Sequence, residues 1–386
     1  MKKTTFADIK TAFQGNKYGL SEWAGAFGDL GTLIPFVVAY ITVVKLDPAG
    51  ILFAFGISKI AMGLFYKTPV PVQPMKAIGA AAIAQAGTIT PGMIYSSGIV
   101  TGIVWLLLGL TNLAGLVAKL AAKPVVRGIV LGLGLLFVTQ GIEMMLTSPW
   151  LGAAAAAMTL FLFSREKIPA MFVLLILGAG VALWQEPGLL GELSGAGFHL
   201  HLPTFSLANL SWGDMASGAL FLALPQIPLT LGNAIIATTA ENNEVFPQRK
   251  ISERKLAIST GIMNLFSPVI GGVPLCHGAG GMAGHIRFGA RTGGALVILG
   301  TLILVIALFF ADSASAIFRL FPEAILGVIL FFAGTELALT TKDIGSEKRD
   351  VYVMLITAGL AMWNMLAAFV VGAGLYWLLK REWVKI

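Results

Sequence analysis

Two stretches, Thr68 to Ala86 (TPVPVQPMKAIGAAAIAQA) and Ser267 to Gly294 (SPVIGGVPLCHGAGGMAGHIRFGARTGG), break the helix rules in the middle of an otherwise membrane-grade apolar sequence. Proline and glycine at this density cannot continue a spanning helix. Backbone left unpaired in hydrocarbon costs several kcal/mol per group unless it lines a buried polar cavity. The two stretches lie half a chain apart, and a matched pair of interrupted segments points to a binding site near the membrane midplane, between two halves of a transporter.

Composition sets the class around them. Of 386 residues, 57% are hydrophobic and 12% charged, and the mean hydropathy is +0.85. Continuous apolar runs such as Gly98 to Leu110 and Ala295 to Phe310 exclude an outer-membrane barrel, which would show short alternating segments. The chain reads as an all-α polytopic membrane protein with fourteen spanning or half-spanning segments. A first set of seven occupies 18–184, a loop covers 185–211, and a second set of seven occupies 212–379. An odd number of segments before the loop inverts the second half relative to the first, which makes a seven-plus-seven inverted repeat. Residues 1–17 read as an amphipathic segment on the cytoplasmic surface, with Phe6, Ile9 and Phe13 on one face, and 380–386 as a cytoplasmic tail with no soluble domain appended. No cleavable signal peptide is expected.

The basic residues test this topology. With both termini cytoplasmic, only Lys45 and Arg319 of the 26 lysines and arginines fall on the outer side, with Lys59 and Lys76 inside segments. That is the positive-inside pattern. The net charge of +7 is accounted for by membrane lipid at the inner leaflet, with no nucleic-acid partner. A multi-pass protein of a bacterial-type inner (plasma) membrane is the simplest location.

In the first interrupted stretch, Thr68 to Gln73 alternates proline with other residues and should be extended, after which Pro74 suits the first turn of a short helix. In the second, Gly271 to Pro274 is the extended part and the helix starts between Leu275 and Gly278. Two helix N-termini then face each other, each with unpaired N–H groups and roughly half a positive charge, a ready anion site. The substrate-binding candidates are Gln73, Met75, Lys76, Thr32, Gln226, Thr230, Asn233, Cys276, His277 and Gly278. Lys76 either pairs with Asp29, faces the cytoplasmic vestibule, or supplies charge to the ligand. Asp29, the only carboxylate well inside the first segment, is the proton-coupling candidate or the partner of a buried cation; a helix-capping role beside Gly28 and Gly31 is the alternative.

Other signals carry less. Cys276 and His277 are adjacent and point apart, so no metal site is expected, and His277 and His285 flank the second half-helix. His199 and His201 in the outer loop read as solvent-facing. GAGGMAG lacks the strand and the acidic residue of a dinucleotide fold, so no cofactor is expected. No nucleophile, base and orienting group gather in one segment, which argues against an enzyme.

Four motifs in order, GAFGDLGTLIPFVVAY, PVQPMKAIGAAAIA, PQIPLTLGNAIIAT and GGVPLCHGAGGMAGHIRFGARTGG, resemble the signature segments of the molybdate transporter family related to the SulP sulfate permeases. The resemblance spans most of the chain. It implies a fold shared with the nucleobase permeases, with a core domain (segments one to four and eight to eleven) and a gate domain (five to seven and twelve to fourteen). It also implies an oxyanion between half-helices three and ten, and a core that slides against the gate as an elevator. Asn233 stands where the wider sulfate permease pattern has a carboxylate in segment eight, and the C-terminal regulatory domain of that pattern is missing.

The expectation is therefore a secondary active transporter importing molybdate, or a similar tetrahedral oxyanion such as sulfate or tungstate, with a coupling proton and a homodimer left open. The alternatives are a nucleobase permease, which would want a glutamate in segment eight or ten, and an anion channel.

Overall fold

The structure is a computed structural model. It describes residues 15–42, 44–84, 88–113, 115, 122–163, 170–194, 199–207, 210–339, 341–363 and 365–383. The expected surface helix, with Phe6, Ile9 and Phe13, and the last residues of the tail lie outside the described residues.

The first segment is not one straight helix. α1 (Leu20–Ala26) tightens into a 3-10 turn, Phe27–Asp29, and continues as α2 (Leu30–Thr42), with Pro35 inside it. α3 (Pro48–Tyr66) starts where Asp47 accepts the Ala49 N–H at 3.1 Å ahead of Pro48, and stops at Lys67, whose φ of 57° is left-handed. This is the ordinary pairing of an acidic cap with a first-turn proline. Extended chain then leads through β1 (Gln73–Pro74) into the half-helix α4 (Lys76–Ala84). α5 (Pro91–Leu110), α6 (Lys123–Met145), α7 (Pro149–Phe163) and α8 (Ala170–Gln185) complete the first half. The region expected as a plain loop holds a short helix, α9 (Gly188–Ser194), bent 109° from α8. His201 in that region is partly exposed and also tied down: its Nε2 lies 3.1 Å from Asp312 Oδ2, and its backbone N–H donates to Leu308 O.

Segment eight departs furthest from a simple span. α10 (Trp212–Ser217), α11 (Leu224–Leu229) and α12 (Thr238–Val245) are joined by π-helical turns at Gly218–Ala223 and Thr230–Ala237. Pro225 and Pro228 each withhold an N–H from the ladder, so the regular bonding pattern cannot run through this stretch. α13 (Glu253–Phe266) leads by a 3-10 turn to β2 (Leu275–Cys276) and the second half-helix, α14 (Ala279–Arg287). The turn between them needs a left-handed residue, and Gly271, with φ 78°, supplies it. α15 (Gly294–Phe309) bends by 106° into α16 (Ala314–Arg319), and α17 (Glu323–Leu339), α18 (Lys348–Trp363) and α19 (Met365–Lys380) follow.

Among the described residues, four helical stretches (Leu20–Ile41, Pro48–Tyr66, Pro91–Leu110 and Lys123–Met145) are each long and apolar enough to cross a membrane, and up to seven are if each bent pair counts as one span. Pro149–Phe163 and Ala367–Lys380 are shorter apolar helices. This is a multi-pass membrane protein. Its main helix pairs are α3 with α15, α5 with α13, and α6 with both α17 and α18. Small residues set these approaches, as expected where lipid supplies no hydrophobic drive between helices. Gly98 and Gly102 of α5 lie against Pro268 and Leu265, and Gly128 and Gly132 of α6 against Thr357 and Ala358.

Candidate functional site

The two interrupted stretches meet. β1 and β2 pair antiparallel, with Gln73 opposite Cys276 and Pro74 opposite Leu275, and the Met75 N–H donates to Pro274 O at 2.9 Å. Antiparallel strands that each run straight into a helix send the helices off in opposite directions, so the tips of α4 and α14 sit back to back across the strand pair. The first-turn N–H groups of both are capped from segment eight. Gln226 Oε1 accepts from Ala77 N at 2.8 Å and Ile78 N at 3.4 Å, while Asn233 Oδ1 accepts from Ala279 N at 3.1 Å. Gln226 Nε2 donates in turn to Thr230 Oγ1 at 2.9 Å. Neutral amide oxygens thus stand where the helix ends attract negative charge. Gly278 is the N-cap of α14, and a Cβ there would run into Gln73 Oε1 and come within 3.1 Å of Asn233 Nδ2. The absence of a side chain at Gly278 leaves room there for the Gln73 and Asn233 amides.

Behind the tips lies a buried polar cluster. Asp29 and Lys59 form an ion pair at 2.8 Å with both side chains at 0% exposure. Asp29 Oδ1 also accepts from Thr32 Oγ1 and from Gln73 Nε2, each at 2.5 Å, and Gln73 Nε2 is in contact with Thr32 Oγ1 as well. A pair this deep is compensated by partners on both carboxylate oxygens. His285 reaches toward the same carboxylate, with its Nε2 3.8 Å from Asp29 Oδ2.

Of the three readings of Lys76, the pairing with Asp29 is not realised, because Lys59 holds that place. Lys76 Nζ instead sits 3.6 Å from the centroid of the Phe137 ring, and this buried ammonium has no hydrogen-bond partner. The aromatic face supplies a cation–π contact and leaves the donors of the ammonium unspent. Lys76, Thr32, Phe36, Gln140, Glu143 and Glu323 line a cavity of about 230 Å³. A larger cavity of about 500 Å³, reaching Glu186 and Arg319, shares Pro35 and Glu323 with it.

Three candidates are engaged with protein partners or apolar neighbours. His277 lies between Ser259 Oγ at 2.7 Å from Nε2 and Pro71 O at 2.8 Å from Nδ1, so both ring nitrogens are engaged. Met75 and Cys276 are buried in the apolar core, with Cys276 Sγ 3.7 Å from Pro74 O. Gln73, Lys76, Thr32, Gln226, Thr230, Asn233 and Gly278 are brought together. The residues missed at the sequence level are Lys59 and Phe137, and the reach of His285 toward Asp29. Lys59 carried a signal, being one of two lysines inside apolar segments; Phe137 carried none among 24 phenylalanines.

A helical membrane protein that converges two broken segments on one buried polar centre, beside two helix N-termini, has the build of a transporter of small anions. Comparison with known proteins agrees. The family described as molybdate transporter of the MFS superfamily matches residues 21–137 and 218–337. Molybdate transporter 2 of Arabidopsis thaliana is 36% identical over 93% of this chain and 87% of its own length. A putative sulfate transporter, YvdB of Bacillus subtilis (strain 168), is 24% identical over 83% of the chain and 64% of its own length. Among solved structures, the transmembrane domain of the cyanobacterial bicarbonate transporter BicA superposes with a TM-score of 0.60 at 16% identity, over 95% of this chain and 98% of that one. The murine Slc26a9 anion transporter in its inward-facing state gives 0.63 at 12% identity, over 96% and 69%. The chain belongs to the molybdate transporter family.

Proposed function

We propose that this protein is a secondary active transporter that imports molybdate, or a tetrahedral oxyanion of the same charge such as sulfate or tungstate, bound between the tips of α4 and α14. The observation that carries this reading is the strand pair that sets two helix N-termini back to back beside a buried Lys76 ammonium with no hydrogen-bond partner. A dianion with four acceptor oxygens would take over the N–H groups of Ala77 and Ala279 from Gln226 and Asn233, and would give Lys76 the partner it lacks. Released from capping, the amide N–H groups of Gln226 and Asn233 and the hydroxyl of Thr230 become donors to the anion. Asp29 holds Gln73 in place at the pocket wall and anchors the proton-coupling function there.

Alternating access, in this reading, runs through the division that the family resemblance implies. Segments one to four and eight to eleven form a core that carries the site, and segments five to seven and twelve to fourteen form the gate. The two halves of the chain are inverted repeats, and the core moves against the gate as an elevator. The helix pairs α3 with α15 and α5 with α13 inside the core, and α6 with α17 and α18 inside the gate, support that division.

Direct binding of molybdate and of sulfate to purified protein, alone and in competition, tests the substrate. Molybdate is expected to bind and to be displaced by excess tungstate; binding of neither molybdate nor sulfate would remove the proposal. Gln73→Ala and Thr230→Ala should each weaken binding about fivefold, the equivalent of one neutral hydrogen bond, while the protein still folds. Unchanged affinity in both would move the site elsewhere.

A further inference from the structure

We propose that His285 is the proton-binding residue of this transporter: its Nε2, fully buried and 3.8 Å from Asp29 Oδ2, takes up one proton as the oxyanion binds. The inference rests on the oxyanion reading above.

The argument begins with the tautomer. His285 Nδ1 lies 2.7 Å from Gly25 O, and a carbonyl oxygen can only accept, so Nδ1 carries the hydrogen. In the neutral ring Nε2 is then a bare lone pair. It has no hydrogen-bond partner, and it lies 3.8 Å from an Asp29 carboxylate oxygen, which also has only lone pairs to offer. Two acceptors facing each other in a buried site are an unsatisfied arrangement. Adding one proton to Nε2 resolves it: the ring then donates to Gly25 O on one side and to Asp29 Oδ2 on the other. Imidazole is the side chain suited to gain and lose that proton under physiological conditions. Among the described residues, the charged groups that act on the ring are Asp29, from the 3-10 turn after α1, and Lys59, from α3.

Charge counting links this proton to transport. Asp29 and Lys59 cancel each other. Before protonation, Lys76 is the cation on a cavity wall that also carries Glu143 and Glu323; after it, a further positive charge stands one carboxylate away from Gln73, whose Nε2 is 2.5 Å from Asp29 Oδ1. Protonated His285 thus makes the surroundings of the site one unit more positive for a molybdate dianion. The coupling is reciprocal, so the anion must tighten the hold on the proton as much as the proton tightens the hold on the anion. The route from ring to ligand is short: His285, Asp29, Gln73, tip of α14.

The test measures molybdate binding and proton uptake together, in weakly buffered detergent solution, over the pH range in which molybdate stays a dianion. Wild-type protein is expected to take up one proton per molybdate bound, with affinity rising up to about tenfold per unit fall in pH. His285→Gln, which can still donate to Gly25 O, should bind more weakly, release or take up no proton, and show pH-independent affinity. Wild-type binding without proton uptake overturns the inference and leaves the oxyanion reading standing, whereas absence of binding to any of the three oxyanions removes that reading first. Proton uptake that persists in His285→Gln also overturns it. If that variant does not fold, nitrogen-labelled histidine spectra of His199→Gln/His201→Gln protein decide, with His277→Asn to tell the two remaining rings apart. The His285 ring should pass from one N–H to two on addition of molybdate; a ring unchanged by the anion refutes the proposal.

Discussion

The two half-helix tips are alike in backbone and opposite in support. The tip of α14 is braced on every side. Asn264 Oδ1 accepts from Leu275 N at 2.9 Å and its Nδ2 donates to Leu275 O at 2.6 Å, so one side chain completes the strand as a neighbouring backbone would. Ser267 Oγ donates to Val273 O, Thr238 Oγ1 to His277 O, and the His277 ring spans Ser259 and Pro71. The tip of α4 has one side-chain cap, Gln226, and beside it two buried polar atoms without hydrogen-bond partners, Lys76 Nζ and Gln73 Oε1. A transporter site needs a wall that keeps its shape and a wall that can respond, and the division of hydrogen bonds assigns those parts to α14 and α4.

Breaking the braced wall should give the largest effect. Asn264→Ala leaves a buried N–H and a buried C=O without their partners, at about 1–3 kcal/mol each, so thermal unfolding of the purified protein should shift down clearly before any ligand is added. A variant with unchanged melting temperature would show that the brace is dispensable. On the responsive wall, Lys76→Met keeps the stem against Phe137 and deletes the charge. Molybdate affinity should drop on the order of 10- to 100-fold, as for a lost charge-assisted hydrogen bond, with little change in stability. A larger loss of stability than of affinity would place Lys76 in the scaffold. The smallest effect sharpens the contrast: Cys276→Ala, in the braced strand and pointing into the core, should leave affinity within about twofold, since the thiol contributes only a weak contact to Pro74 O.

Much of this was legible in the residues because proline, glycine and charge are loud in an apolar sequence. The two broken stretches, the starts of both half-helices within a few residues, and the polar set on segment eight all follow from positions where a spanning helix would otherwise be unbroken. The partner of Asp29 was not legible, because Lys59 and Lys76 both lie inside apolar segments and only the folded position of α3 decides which one reaches it. The π-helical turns were hidden too. A proline announces that a ladder is interrupted, not how the chain takes up the slack. His277 shows the limit from the other side: its place at the start of α14 suits an anion donor, yet Ser259 and Pro71, far from it in sequence, already hold both nitrogens. Such claims on a side chain arise only in three dimensions.

Gly278 has a consequence for how selectivity could change in descendants of this sequence. A side chain at that spot would meet Gln73 Oε1, the end of a flexible side chain, so a larger residue there would act by shifting the glutamine amide. In the proposed site, tuning between small and large tetrahedral anions would therefore run through that glutamine and through the side chains of segment eight, above all Gln226 and Thr230.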